Sequence, residues 1–252
     1  MKEERLAKIE QYIREHRSVS LDTLCQMFHV SKNTVRRDVA QITERSDIRK
    51  IYGGVSAPYN RIPPSFTERA TVNIETKHKI GKCAASIVND GDIVFIDSGT
   101  TTCQIIDFLE ARRNITVITH SLDVINRAAA YPNINLICLS GTFNRMTQSF
   151  TGQSTIEVLQ DLNISKAFMA ANGVSMKNGA TQSTPIEFAI KKTVVSRSDN
   201  VYVMIENRKF GAVSMLSYCR LKDITSIITE KMPNDEFRSA YLELGGSILI
   251  AE

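Results

Sequence analysis

"FIDSGTTTCQII", residues Phe95 to Ile106, decides the fold class. Apolar residues with strand character run into Asp97, then into Ser98-Gly99-Thr100-Thr101-Thr102, and a helical spacing follows at once. A small-residue turn ahead of a helix start presents backbone N–H groups and the positive end of the helix dipole, an arrangement that receives phosphate. Gly99 permits a tight turn, and Thr100 and Thr101 add hydroxyl donors beside it.

The pattern extends outward on both sides. Further apolar strands are expected at Ile93–Asp97, Ile115–Thr119, Ile134–Leu139, Ala167–Asn172, Val201–Glu206, Ser226–Thr229 and Ser247–Ile250. Helical spacing falls between most of them, at Thr76–Val88, Thr101–Glu110, Leu122–Ala130, Ile186–Arg197 and Asp235–Leu244. Near-continuous apolar strands alternating with helices predict an α/β, Rossmann-like domain over residues 74–252, with a mostly parallel sheet covered on both faces. "APYNRIPPSF" holds three of the six prolines, so residues 58–73 read as an extended linker, and residues 1–57 as a separate domain.

Composition narrows the class. The 252 residues, 42% hydrophobic and 23% charged, suit an ordinary soluble globular chain. Cys25, Cys83, Cys103, Cys138 and Cys219 form no C-x-x-C pair, and no His is spaced to complete a zinc site. A reduced, cytoplasmic protein with no metal and no cofactor is expected. "MKEERLAKIEQYI" is charged and amphipathic, unlike a signal peptide's apolar core, and no apolar run reaches spanning length, so no membrane partner is expected. A net charge of +4 permits nucleic-acid binding without requiring it.

In "SVSLDTLCQMFHVSKNTVRRDVAQI", Leu21, Leu24, Cys25 and Phe28 share a helical face behind the N-cap Ser20. Ser31 then caps a second helix, with Val30 and Val35 spaced as a hydrophobic staple. Two short helices joined by a tight turn form a helix-turn-helix. On the second, Val35, Val39 and Ile42 make the buried stripe. Asn33 and Arg37 project from the opposite side with Ala40 between them, flanked by Lys32 and Arg36. Those side chains suit base edges in a major groove. "ERSDIRKIYGGVSA" reads as a hairpin turning at Gly53-Gly54, a wing whose Arg49 and Lys50 reach phosphates or a minor groove.

"VSKNTVRRD" followed by "IRKIYGGV" resembles the DNA-binding segment of the DeoR-type family of bacterial sugar-metabolism repressors, through Val30, Ser31, Thr34, Val35, Arg36, Arg37, Asp38, Gly53 and Gly54. Ser46 departs from the family's usual Gly at the turn into the wing. The resemblance implies a winged helix-turn-helix that binds operator double-stranded DNA through Ser31, Lys32, Asn33, Thr34, Arg36, Arg37, Arg49 and Lys50. It also implies a homodimer or homotetramer, and a second domain resembling ribose-phosphate isomerases and CoA transferases that binds a phosphorylated sugar or sugar acid as effector. The family's Asp-Ser-Gly-Thr-Thr loop is carried by Asp97, Ser98, Gly99, Thr100 and Thr101, and Lys77 matches a lysine that approaches the same phosphate. Thr119 and Ser121 match a Thr-Asn-Ser, with His120 departing; Gly141 matches a Gly-Gly, with Ser140 departing. Arg145, Ser149 and Gly152 keep the family's spacing, and Arg145 is placed to take a second anionic group. Lys209 is retained in "ENRKFG", whereas Glu206 and Arg208 depart. Within the family, "SLDTLCQMFHVSKNTVRRDV", "IYGGV", "IDSGTTT" and "KAFMAANG" look closest to the branch that represses myo-inositol catabolism, whose effector class is a phosphorylated keto-sugar acid.

The alternative is a sugar-phosphate isomerase or CoA-transferase-like enzyme. Aldose–ketose isomerisation needs a carboxylate base. The isomerases that the domain resembles cluster acidic residues at a later strand end, where "FMAANGVS" here has none. Glu187 and Glu206 are candidate transferase nucleophiles by residue type alone. With a DNA-binding domain in front, the loop belongs to a sensor, and the chain is expected to be a repressor of a carbohydrate or polyol catabolic operon rather than an enzyme.

Overall fold

The computed structural model describes residues 2–16, 18–46, 48–57 and 65–252, in two compact units, Met1–Pro63 and Pro64–Glu252. In the first, α1 (Lys2–His16) leads through β1 (Ser18–Ser20) to α2 (Leu21–Phe28) and α3 (Lys32–Arg45). The strands β2 (Arg49–Ile51) and β3 (Gly54–Ser56) complete it. The sheet runs β1-β3-β2, all antiparallel, so β1 adds a strand to the expected wing hairpin. Leu6, Ile9 and Ile13 of α1 close a core with Leu24, Val35, Val39, Ile42 and Val55.

The second unit opens with α4 (Phe66–Ala70) and α5 (Ile74–Ser86), then β4 (Ile93–Ile96). A 3-10 helix (Thr102–Phe108), β5 (Ile115–Thr119), α6 (Leu122–Ala128) and β6 (Ile134–Cys138) follow. A hairpin of β7 (Thr142–Asn144) and β8 (Ser149–Thr151) precedes α7 (Gln153–Gln160) and β9 (Ile164–Ala170). Next come β10 (Gly173–Ser175), β11 (Gly179–Gln182), α8 (Pro185–Ser196) and β12 (Ser198–Met204). Then β13 (Leu216–Cys219), β14 (Ser226–Thr229), α9 (Asp235–Glu243) and β15 (Ser247–Ile250) end the chain.

Seven strands form one parallel sheet in the order β15-β14-β12-β9-β4-β5-β6, and they are the seven expected from the apolar runs. Alternation decides which face each residue serves. Phe95, Ala167, Met169, Val201 and Val203 pack with Ile190 and Val194 of α8 on one side. Val94, Ile96, Phe168, Tyr202 and Met204 pack with Ile80 and Ala84 of α5 on the other. Both faces are covered at the inner strands, which is why runs such as residues 94–96 and 201–204 are apolar without alternation. From β4 the chain builds outward to β5 and β6, then returns to β9 on β4's other side. The β4 and β9 ends therefore flank a topological switch point, where ligands of such sheets gather.

Two expectations need correction. Residues 58–64 of the expected linker lie outside the described residues, but the rest of 58–73 includes α4 and belongs to the second unit. A capping box starts α4: the Ser65 hydroxyl accepts from Glu68 N–H at 3.3 Å, and Glu68 Oε2 accepts from Ser65 N–H at 2.7 Å. The helix expected at Thr101–Glu110 is a 3-10 helix over Thr102–Phe108, closed by three-residue bonds such as Gln104 N–H to Thr101 O at 3.3 Å. No helix among the described residues is long and apolar enough to cross a membrane.

Candidate functional site

On α3, Val35, Val39 and Ile42 are buried, and so is Asp38, which pairs with Arg5 of α1 at 2.8 Å. Lys32, Asn33, Arg36 and Arg37 are exposed. Among the described residues, Asn33, Arg36 and Arg37 have no side-chain partner, whereas Lys32 Nζ meets Asp22 at 2.7 Å. Ser31 and Thr34, expected to contact DNA, are already engaged with each other. The Ser31 oxygen accepts from Thr34 N–H at 3.3 Å and lies 2.9 Å from its hydroxyl, which fixes the helix start. Arg49 and Lys50 are exposed along β2. Tyr52 is fully exposed at the wing tip, beside Gly53 at φ 74°. Gly54 is required by contact, because a Cβ there would overlap Val19 O of β1. Ser46 needs no glycine: its φ is −134°, and its hydroxyl donates to Ile42 O at 2.7 Å to close α3.

At the switch point, Asp97, Ser98, Thr100 and Thr101 are all buried. Gly99 is not in a left-handed conformation; its role is to let the loop lie against β9, since a Cβ would overlap Ala170 Cβ. Thr102 holds the loop together. Its Oγ1 accepts from Gly99 N–H at 3.0 Å and contacts Asp97 O and Gly99 O at 2.7 and 2.9 Å. The Gly99 N–H is thus engaged within the loop, while the Thr100 and Thr101 hydroxyls have no partner among the described residues.

Asp97 Oδ2 accepts from Ala170 N–H at 2.8 Å and pairs with Lys191 of α8. Burial pushes the Asp97 carboxyl up, but the Lys191 charge, His120 and the hydrogen bonds outweigh it, so its pKa lies below the usual value. Lys191 also donates to Ala170 O at 2.9 Å. Glu187, one helical turn earlier, accepts from Ser98 Oγ at 2.9 Å, Thr184 Oγ1 at 2.8 Å and Gln182 Nε2. His120 is buried against Phe95, with ring centroids 5.7 Å apart, and burial lowers its pKa.

A cationic group adjoins these residues. Burial lowers the pKa of Lys209 to about 8, aided by Arg208, Arg69 and Lys77 and opposed by Glu206. Glu206 is buried and accepts from Asn73 and, at 3.0 Å, from Arg208 Nε. Lys209 Nζ donates to Ala171 O at 3.2 Å, next to Ala170, which contacts both Asp97 and Lys191. Sequence reasoning did not place Arg69, His120, Glu187, Lys191, Glu206 or Arg208 in the site. The signal available was the i, i+4 pair Glu187 and Lys191 on one face of α8.

Other expected effector residues are placed differently. Lys77 is buried, and its ammonium is taken by the carbonyls of Arg69 and, at 2.6 Å, Val72, so it ties α4 to α5. Thr119 Oγ1 donates to Ile96 O at 2.7 Å and accepts from Ser121 N–H at 3.1 Å, while Ser121 caps α6. These two fasten strand ends. Gly141, at φ 154°, accommodates Thr151 O, which a Cβ would approach to 2.7 Å. Arg145 is exposed in the β7–β8 turn, with no side-chain contact to the buried cluster among the described residues.

A family model described as the DeoR-like helix-turn-helix domain matches residues 5–60, and one described as the DeoR C-terminal sensor domain matches residues 72–231. The chain belongs to the DeoR family of transcriptional regulators. It is 42% identical over 237 residues to the HTH-type transcriptional regulator IolR of Bacillus subtilis (strain 168), covering 94% of each chain. It is 29% identical to the HTH-type transcriptional repressor GlcR of the same organism, over 99% of this chain and 96% of that one. Among solved structures, ribose 5-phosphate isomerase A from Methanocaldococcus jannaschii aligns over 55% of each chain with TM-score 0.41 and 19% identity. As a DeoR-family member, the protein is a DNA-binding regulator with a small-molecule sensor domain, not an isomerase or CoA transferase. Glu187 and Glu206, the two possible nucleophiles, are both occupied by hydrogen bonds.

Proposed function

We propose that this DeoR-family protein represses a carbohydrate or polyol catabolic operon and leaves its operator when a phosphorylated sugar or sugar acid binds at the β4–β9 switch point. The observation that carries the reading is Lys209, whose ammonium donates to Ala171 O at 3.2 Å beside the Asp97–Lys191 pair, together with the Thr100 and Thr101 hydroxyls, which have no partner among the described residues. Cations and hydroxyl donors bind phosphate through charge-assisted hydrogen bonds. The motifs shared with the inositol branch support an effector from inositol catabolism. Residues 1–57 hold the operator through Ser31, Lys32, Asn33, Thr34, Arg36, Arg37, Arg49 and Lys50, with the Ser31 hydroxyl also capping α3. The protein acts in the cytoplasm as a homodimer or homotetramer, matching two-fold operator symmetry. Release requires that the effector bind the DNA-free arrangement more tightly. A thermal-shift screen of phosphorylated sugars, followed by operator gel shifts with and without the best stabiliser, tests the whole reading. A compound that raises the melting temperature and frees the operator is expected; a stabiliser that leaves operator binding intact overturns the release mechanism.

A further inference from the structure

We infer that His120 and Asp97 form a hydroxyl-reading pair that takes one alcohol group of the effector between the imidazole and the carboxylate; this rests on the phosphosugar reading above. The His120 and Asp97 side chains are 1% and 0% exposed, yet Asp97 Oδ1 and both ring nitrogens of His120 have no hydrogen-bond partner. Buried polar atoms are nearly always bonded, so two orphans facing one another, His120 Nε2 and Asp97 Oδ1, mark a place for a ligand. Their separation defines the guest. His120 Nε2 lies 3.9 Å from Asp97 Oδ1, too far for a direct bond. An oxygen at about 2.8 Å from each atom bridges them at nearly a right angle.

The guest must also donate. An ionised carboxylate only accepts, so the bridging oxygen needs a hydrogen for Asp97 Oδ1, while it accepts from Nε2–H. A hydroxyl does both. A phosphate or carboxylate oxygen does not, and would meet the Asp97 charge. The pair is held in position: the ring stacks on Phe95 at an 18° tilt, and Asp97 Oδ2 is fixed by Ala170 N–H and Lys191. Lys209 donates to Ala171 O at 3.2 Å, the residue next to Ala170, whose N–H holds Asp97 Oδ2. A sugar phosphate offers an anion for such an ammonium and a hydroxyl for the pair. His120 stands where the family pattern has Asn, which makes it a specificity position.

The test compares wild type with His120→Leu, which removes both orphan nitrogens and keeps an apolar body against Phe95. Melting temperatures are followed against rising inorganic phosphate, glucose 6-phosphate, fructose 6-phosphate, 6-phosphogluconate and a phosphorylated keto-sugar acid. H120L is expected to melt at or above the wild-type temperature and to answer inorganic phosphate as wild type does. Its midpoint for the best sugar phosphate should rise by roughly tenfold, the loss of one well-made buried hydrogen bond. Unchanged sugar-phosphate midpoints mean that the gap holds only solvent, and overturn the pair. If H120L melts low, His120→Asn is judged by the same midpoints. A wild-type protein that responds to inorganic phosphate but no better to any sugar phosphate also overturns the pair. A wild-type protein stabilised by none of the five probes refutes the phosphosugar reading itself, and the pair falls with it.

Discussion

Ser98 donates its hydroxyl to Glu187 Oε1 at 2.9 Å, across 89 positions of chain. That bond ties the loop after β4 to the first turn of α8, and Thr184 and Gln182 complete the carboxylate's shell. Glu187→Ala leaves three buried or half-buried donors without their acceptor. The full chain should lose about 1–3 kcal/mol of stability, the usual cost of orphaned buried groups. Urea unfolding with an unchanged denaturant slope would measure it. Because the carboxylate is occupied, wild-type protein incubated with ribose 5-phosphate should leave the sugar unchanged; conversion abolished by Glu187→Ala would give Glu187 a catalytic role.

Lys209 makes the sensor unit pH-sensitive, and its sign is fixed. Its folded pKa of about 8 lies below the ordinary lysine value of 10.5, with burial as the largest cause. Between those values the unfolded chain keeps a proton that the folded one sheds, so this residue's contribution favours folding more as pH rises from about 8 to 10.5. An anionic ligand acts the other way, since it prefers the charged ammonium. Affinity for the best sugar phosphate should fall as pH rises through about 8, with proton uptake on binding seen by calorimetry in buffers of different ionisation enthalpy. Lys209→Met should bind more weakly and flatten that profile. A profile unchanged by the substitution would remove Lys209 from the anion site.

The exposed face of α3 and the wing should fail in different ways. Asn33→Ala and Arg37→Ala remove groups facing base edges, so each should cost about 1–3 kcal/mol on operator DNA and little on scrambled duplex. Lys50→Ala should weaken both and lower the salt slope by about one counterion. Gel-shift titrations on both duplexes at several salt concentrations separate the two classes. Equal losses on both duplexes for Arg37→Ala would take it off the recognition face.

Much of this architecture is legible without coordinates, for physical reasons. The inner sheet strands are covered on both faces and so carry apolar runs such as residues 94–96 and 201–204, and α3 divides cleanly between Val35, Val39, Ile42 and the polar Asn33 and Arg37. The capping box at Ser65 and Glu68 is legible as a Ser-x-x-Glu spacing, but the prolines ahead of it favour extended chain. Lys77 matches the family's lysine in sequence, and what the sequence does not reveal is that the carbonyls of Arg69 and Val72 take its ammonium. The ionic cluster is the least legible part. Arg69, His120, Glu187 and Glu206 come from four separate connections, and only the strand order gathers them. The Ser46 departure proved harmless because its backbone is extended there.

Thr101 and Thr102 are neighbours with opposite expected phenotypes, and the contrast tests the loop directly. Thr102 Oγ1 accepts from Gly99 N–H and lies within hydrogen-bond distance of two backbone carbonyls, so Thr102→Val strips the loop of its internal brace. It should cost about 1–3 kcal/mol and lower the melting temperature before any ligand is added. The Thr101 hydroxyl has no partner among the described residues, so Thr101→Val removes a donor at nearly constant volume and should leave stability almost unchanged. Its effect should appear only with ligand. A hydrogen bond from a neutral hydroxyl to a charged phosphate is worth about 1.5–3 kcal/mol, so release of operator should need at least roughly tenfold more sugar phosphate. Operator affinity without ligand should match wild type, because the substitution lies in the sensor unit. The measurement is operator binding across a sugar-phosphate titration for wild type and both variants. A Thr101→Val protein that lets go at the wild-type concentration would show that the threonine loop does not hold the phosphate, however well its sequence matches.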